Sequence, residues 1–187
     1  MKQKNYPLFL GISHIGQVFS IGWSEKFGKC SVFDFNKEQL VNFKRGRVTQ
    51  EETNLKKFFL KNKEKIHICK TSKEIELYTR VFLTLDTPLK ENGEPKVKEI
   101  KNFINKAIPY LAKNSNLIIT SQVYCGFCDE IKNTILKKRK DINLIYMVDT
   151  LKMGVALSRF LVPEQLIFGV SKKIKCLNEF KKLNCPI

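Results

Sequence analysis

The hexapeptide Gly11-Ile12-Ser13-His14-Ile15-Gly16 is the segment of this 187-residue chain whose residue types and spacing point most directly to chemistry. It keeps the first and third glycines of a Gly-x-Gly-x-x-Gly turn and carries Ser13 at the second. In such a turn the first glycine permits a tight bend, and the second lets backbone approach a diphosphate at a helix N-terminus. The third lets the helix pack closely. Ser13 adds a hydroxymethyl group at the point of approach. Asp34 stands 18 residues after Gly16, at the end of the next apolar run. A carboxylate there accepts hydrogen bonds from a ribose 2′-hydroxyl and repels a 2′-phosphate, so the pair predicts NAD rather than NADP. The simpler alternative is a tight turn followed by a helix-start aspartate.

Cys125-Gly126-Phe127-Cys128 is a second candidate. Its spacing suits a dithiol at a strand-to-helix turn, where a helix N-terminus lowers the pKa of the first thiol. Its place late in the chain, downstream of a dinucleotide turn, argues against that use and for two inert thiols. With Cys30, Cys69, Cys176 and Cys185 the cysteines number six. They are expected as thiols, because the apolar run behind the N-terminus is broken early by His14, Gln17 and Ser20 and does not read as a secretory leader. Neither His14 nor His67 has ligand spacing with Cys125 and Cys128, so no metal is expected. His14 is expected beside the cofactor, not as a catalytic base.

The elements that must position these residues follow from periodicity. Short apolar runs at Pro7 to Ile12, Cys30 to Phe33, Ile66 to Ile68, Val81 to Leu85, Leu117 to Thr120, Leu144 to Met147 and Leu166 to Gly169 read as strands. Between them lie helical patterns at His14 to Phe27, from an Asn36 cap to near Gly46, at Asn54 to Asn62 and at Val97 to Leu111. Further helices are expected from Ser72, from Asp129 to Lys138 and from Ser171 to about Leu183, with an Asn92-Gly93 turn in the loop after Pro88. Alternating strands and helices predict an α/β fold: a single Rossmann-like, doubly wound domain, 1–187, with a mostly parallel sheet covered on both faces. Ligands of such sheets bind at the carboxyl ends of the strands.

Composition narrows the class. Apolar residues make up 43 % and there are 14 phenylalanines, which fits a globular chain with a substantial core. No run is long enough to span a bilayer, and a cytoplasmic location is expected. The net charge of +16, from 34 basic and 18 acidic residues, raises the question of nucleic acid. The lysines are scattered apart from Lys137-Lys138-Arg139-Lys140, which reads better as a solvated surface, so nucleic acid is not the expected partner.

The order of segments resembles the N-terminal, NAD-binding domain of the UDP-glucose/GDP-mannose dehydrogenase family over nearly the full length. The resemblance rests on collinear pieces: Leu10 to Gly16; Val32-Phe33-Asp34-Phe35-Asn36; and Gly46 followed by Glu52-Thr53-Asn54-Leu55. Thr87-Pro88 with Gly93-Glu94-Pro95, Ser121 to Gly126, Gly154 to Leu157 and Phe160 to Gly169 continue it. It implies that Gly11, Ser13, His14, Ile15 and Gly16 cradle the NAD diphosphate, Asp34 holds the adenosine ribose, and Thr87 contacts the cofactor. Gln122 stands where the family has a site threonine.

The family's substrate-facing segment is similar to Met147-Val148-Asp149-Thr150-Leu151-Lys152-Met153. Of its acids only Asp149 remains, the one residue here with an implied catalytic part, and Lys152 keeps a cation toward a nucleotide sugar. Family members oxidise a sugar 6-hydroxyl to a carboxylate in two hydride transfers through a cysteine nucleophile in a later domain. None of the six cysteines matches that position, and the central helical and C-terminal domains would lie beyond Ile187. The resemblance therefore implies a domain that does not complete the reaction alone and forms oligomers only with the missing domains. A non-catalytic relative that binds a nucleotide or a protein, suggested by Ser13, Gln122, Met147 and Met153, and a Cys-x-x-Cys redox module are the other readings.

Overall fold

In a computed structural model of the chain, residues 3–49 and 51–170 are described. Leu8–Leu10 forms the first strand, β1, and every residue of it is buried, as a strand covered on both faces requires. It leads through the Gly11 turn into helix α1, His14–Lys26, and then β2, Cys30–Phe33. Helix α2, Lys37–Lys44, starts where the Asn36 side chain accepts from the amides of Glu38 and Gln39. Helix α3, Leu55–Asn62, and strand β3, Ile66–Ile68, complete the first half. The second half comprises β4 (Arg80–Leu83), α4 (Lys98–Ala107), β5 (Asn116–Ile119), α5 (Phe127–Asn133), β6 (Asn143–Met147), α6 (Ala156–Leu161) and β7 (Phe168–Val170).

These strands form one sheet in the order β3-β2-β1-β4-β5-β6-β7. The first six are parallel and β7 runs antiparallel to β6. The strand order reverses between β1 and β4, and the crevice at their carboxyl ends is the place where a doubly wound sheet takes its ligand. The period-2 alternation of the strands splits the core. Phe9, Val32, Phe82, Ile118 and Ile145 face α1, α3 and α6, whereas Leu8, Leu10, Leu83, Leu117 and Ile119 face α4 and α5.

Three details differ from the sequence expectation. The helix expected over Asp129 to Lys138 begins at Phe127 and ends at Asn133, continuing as turns. Ser72–Leu77 is a 3-10 helix, held by Glu74 accepting from the amides of Lys70 and Thr71. Helix α6 has no counterpart in the expected elements; its six residues include two buried ones, too few for a helical period to stand out. The helix expected from Ser171 to Leu183 lies outside the described residues.

Candidate nucleotide site

The turn after β1 is fastened to both neighbouring strands. The Gly11 amide donates to the Phe33 carbonyl at the end of β2 (2.8 Å), and the Thr84 amide beyond β4 donates to the Leu10 carbonyl (3.0 Å). Gly11 adopts φ +102°, the left-handed region, and a Cβ there would lie 2.7 Å from Leu85 Cδ2. The Thr84 hydroxyl donates to the Gly11 carbonyl (2.7 Å). That carbonyl lies so close to the first turn of α1 that a Cβ on Gly16 would sit 2.0 Å from its oxygen. The two glycines thus do what the motif requires of them: one bends the chain, the other lets α1 close on the bend.

Asp34 is 6 % exposed at the carboxyl end of β2. Its carboxylate accepts from the Ile12 amide (2.8 Å) and the Asn36 amide (2.8 Å), so it ties the phosphate turn to the start of α2. Burial pushes the Asp34 carboxyl above its ordinary value, and the amides of Asn36, Ile12 and Phe35 pull it back. A carboxylate has about four acceptor positions, so these amides leave capacity for a further donor. Two hydroxyls at the same edge lack a protein partner among the described residues: Thr87 Oγ1, beyond β4, and Ser121 Oγ, beyond β5, are both enclosed.

Ser13 lies at φ −73°, a conformation open to any residue, so the backbone does not call for glycine there. Its hydroxyl lies 2.8 Å from the Thr84 carbonyl and 2.9 Å from Asp86 Oδ1, and accepts from the Asp86 amide (2.9 Å). Asp86 in turn reaches the start of α1: Oδ2 accepts from the His14 amide (2.9 Å) and Oδ1 from the Ile15 amide (3.0 Å). The imidazole of His14 turns the other way. Its Nε2 is 2.9 Å from Glu52 Oε1, and Glu52, 4 % exposed, also accepts from the amides of Gly154 (2.7 Å) and Ala156 (2.8 Å) at the start of α6. The His14 side chain thus fastens the start of α1 to Glu52.

Asp149, beyond β6, accepts from the Leu151 amide (2.9 Å). Burial raises its pKa, the Leu151 amide and the charge of His14 lower it, and the charge of Asp86 raises it. The crevice thus brings Gly11 to Gly16, Asp34, Asp86, Thr87 and Asp149 together at the ends of β1, β2, β4 and β6. Gln122, Lys152 and Met153 are exposed at its margin. Asp86 and Glu52 received no role from the sequence. The available signal was position: Asp86 lies three residues beyond the end of β4, the strand adjacent to β1, and so emerges beside the turn.

The other candidates resolve structurally. Cys125 is exposed and precedes α5, while burial pushes the thiol of Cys128, the second of the pair, up to about 11. His67, Cys69 and Glu74 lie within 4.8 Å of one another. Glu74 there is engaged by His67 and two backbone amides, and burial raises the Cys69 thiol to about 11. In the basic cluster, Arg139 pairs with Asp141 and donates to the carbonyls of Ile108 and Leu111, a structural use.

Residues 8–185 match the UDP-glucose/GDP-mannose dehydrogenase family, NAD binding domain. The chain belongs to this family. Among its relatives, UDP-glucose 6-dehydrogenase of Rickettsia bellii is 26% identical over 168 residues, covering 88% of this chain and 39% of that protein. The Campylobacter jejuni enzyme of the same name is 26% identical over 167 residues, covering 87% and 41%. The chain thus spans about two fifths of the length of these relatives. In fold it is similar to a UDP-glucose dehydrogenase from Pyrobaculum islandicum (TM-score 0.83, 14% identity, 95% of this chain and 43% of that one). A GDP-mannose dehydrogenase from Pseudomonas aeruginosa superposes comparably (TM-score 0.82, 15% identity, 95% and 43%). As a member of this NAD-binding domain family, the chain has residues that fit the cofactor. These are the glycine turn, the Asp34 carboxylate and the Thr87 hydroxyl, which has no partner among the described residues, while the amides of His14 and Ile15 at the start of α1 donate to Asp86.

Proposed function

We propose that the domain binds NAD across the crevice between β1 and β4 and serves the oxidation of a nucleotide-sugar 6-hydroxyl, in the cytoplasm. The observation that carries this reading is the Gly11 to Gly16 turn closed by Gly16 packing on the Gly11 carbonyl, with the buried Asp34 carboxylate beside it. NAD, when bound, accepts hydride. The amides of His14 and Ile15 would hold its diphosphate, Asp34 its adenosine ribose, and Thr87, with Gln122 beyond β5, would contact it farther along. Asp149 and Lys152 would face the nucleotide sugar, Asp149 as the acidic group closest to the reacting end. No helix among the described residues is long and apolar enough to cross a membrane.

Asp34 supplies the test. Calorimetric titration should show Asp34→Ala weakening NAD about tenfold, the scale of one charge-assisted hydrogen bond. The same variant should lose the preference for NAD over NADP, a readout that general loosening of the fold does not produce. Unchanged NAD affinity in a folded variant would discard this orientation of the cofactor.

A further inference from the structure

We propose that Asp86 is a built-in anion occupying the diphosphate position of the turn, so that a dinucleotide engages the start of α1 only by displacing it. This rests on the NAD-binding reading. The two oxygens of Asp86 divide between two successive amides, Oδ2 on His14 and Oδ1 on Ile15, as two oxygens of a phosphate would. A helix N-terminus favours negative charge. Helix α1 has no acidic residue in its first turn, and Ser13 makes no side-chain cap bond to it. Asp86 answers both needs from a neighbouring strand end.

A second observation ties the arrangement to the departure from the glycine motif. The residue at the second glycine position, Ser13, contributes the hydroxyl that contacts Asp86 Oδ1 and accepts from the Asp86 amide. Serine here does not merely narrow the phosphate path. It helps hold a carboxylate in it. Asp86 is exposed and lies in the segment following β4, so its side chain can turn out toward solvent without disturbing the core. If it stayed, its charge would confront the diphosphate, with the Asp149 carboxyl adding to the repulsion from beyond β6. The turn is therefore self-capped, and each dinucleotide that binds exchanges one anion for another. The expected consequence is weak affinity for NAD compared with a turn whose amides are free.

Calorimetry of the chain and of Asp86→Asn, titrated with NAD and separately with adenosine, tests this. Asp86→Asn should bind NAD about tenfold more tightly, the scale of one charge-assisted hydrogen bond, with adenosine affinity unchanged. Inorganic pyrophosphate should bind the variant measurably better than the parent chain and be displaced by NAD. Equal NAD affinity in the two proteins would overturn the proposal while leaving NAD binding intact. If neither protein binds NAD or adenosine, the NAD-binding reading fails and the proposal with it. Should Asp86→Asn melt early from loss of the helix cap, Asp86→Glu keeps the charge on a longer arm and should not gain NAD affinity; a tenfold gain there would contradict the proposal.

Discussion

Two strand-to-helix turns of this sheet occupy equivalent places and behave differently. The turn from β1 to α1 delivers two amides onto a carboxylate, and its two glycines are fixed by contacts at 2.0 and 2.7 Å to any added Cβ. The turn from β5 to α5 carries Gly126 at φ +90° with open space around it, an exposed Cys125, and a Cys128 thiol raised by burial. Helix α1 has 13 residues and α5 has seven. Topology places a turn at the ligand edge, but close backbone packing and a helix of adequate length make it an anion site.

That contrast can be broken first at the glycines. Gly16→Ala should cost about 3 kcal/mol or more in chemical denaturation, because the added methyl meets the Gly11 carbonyl rather than a movable side chain. Gly126→Ala, which meets nothing, should cost only the left-handed backbone conformation, about 1 to 2 kcal/mol. Similar losses at both positions would erase the distinction between the turns.

The fastening of the first turn to α6 comes next. Glu52→Ala removes a buried carboxylate from the His14 imidazole and the amides of Gly154 and Ala156 and should lower stability by about 3 kcal/mol. Amide hydrogen exchange should then speed up at the starts of α1 and α6 but not at α5. Uniform acceleration throughout the chain would show that Glu52 is not a local tie.

Smaller effects belong to the second turn. At pH 8 a thiol reagent should modify Cys125 well before Cys128, whose thiol is raised to about 11, and Cys30 and Cys69 only on unfolding. Mass spectrometry of the early product settles the order. Beyond α5, Arg139 holds the Asp141 carboxyl down at about 2 from the ordinary 3.8. A depressed carboxyl stabilises the fold above its ordinary pKa, and that stabilisation is lost as pH falls from 3.8 toward 2. Arg139→Gln should flatten this part of the acid denaturation profile; an unaltered profile would show that the pair contributes nothing.

Much of this was legible in the sequence because backbone geometry writes itself in residue types. Gly11 and Gly16, the Asn36 cap and the strand-terminal Asp34 each name a conformation or a hydrogen bond that few other residues supply. Strand runs were legible because a strand covered on both faces must be apolar throughout, as Leu8 to Leu10 is. Asp86 and Glu52 were not legible as site residues, since their partners lie 72 and 38 residues away and no local pattern announces such a pairing. Helix α6 escaped for a related reason: Ala156 and Leu157 are buried but Ser158 is exposed, and six residues hold less than two turns. The family resemblance pointed to the turn after β1 but gave no sign that Asp86 accepts from the first amides of α1.

The most direct test of the account is a crystal structure of the domain with NAD bound. The account predicts diphosphate oxygens within hydrogen-bond distance of the His14 and Ile15 amides, the adenosine ribose on Asp34, and the Asp86 carboxylate turned away from α1. NAD bound elsewhere, with Asp86 still accepting from both amides, would contradict it.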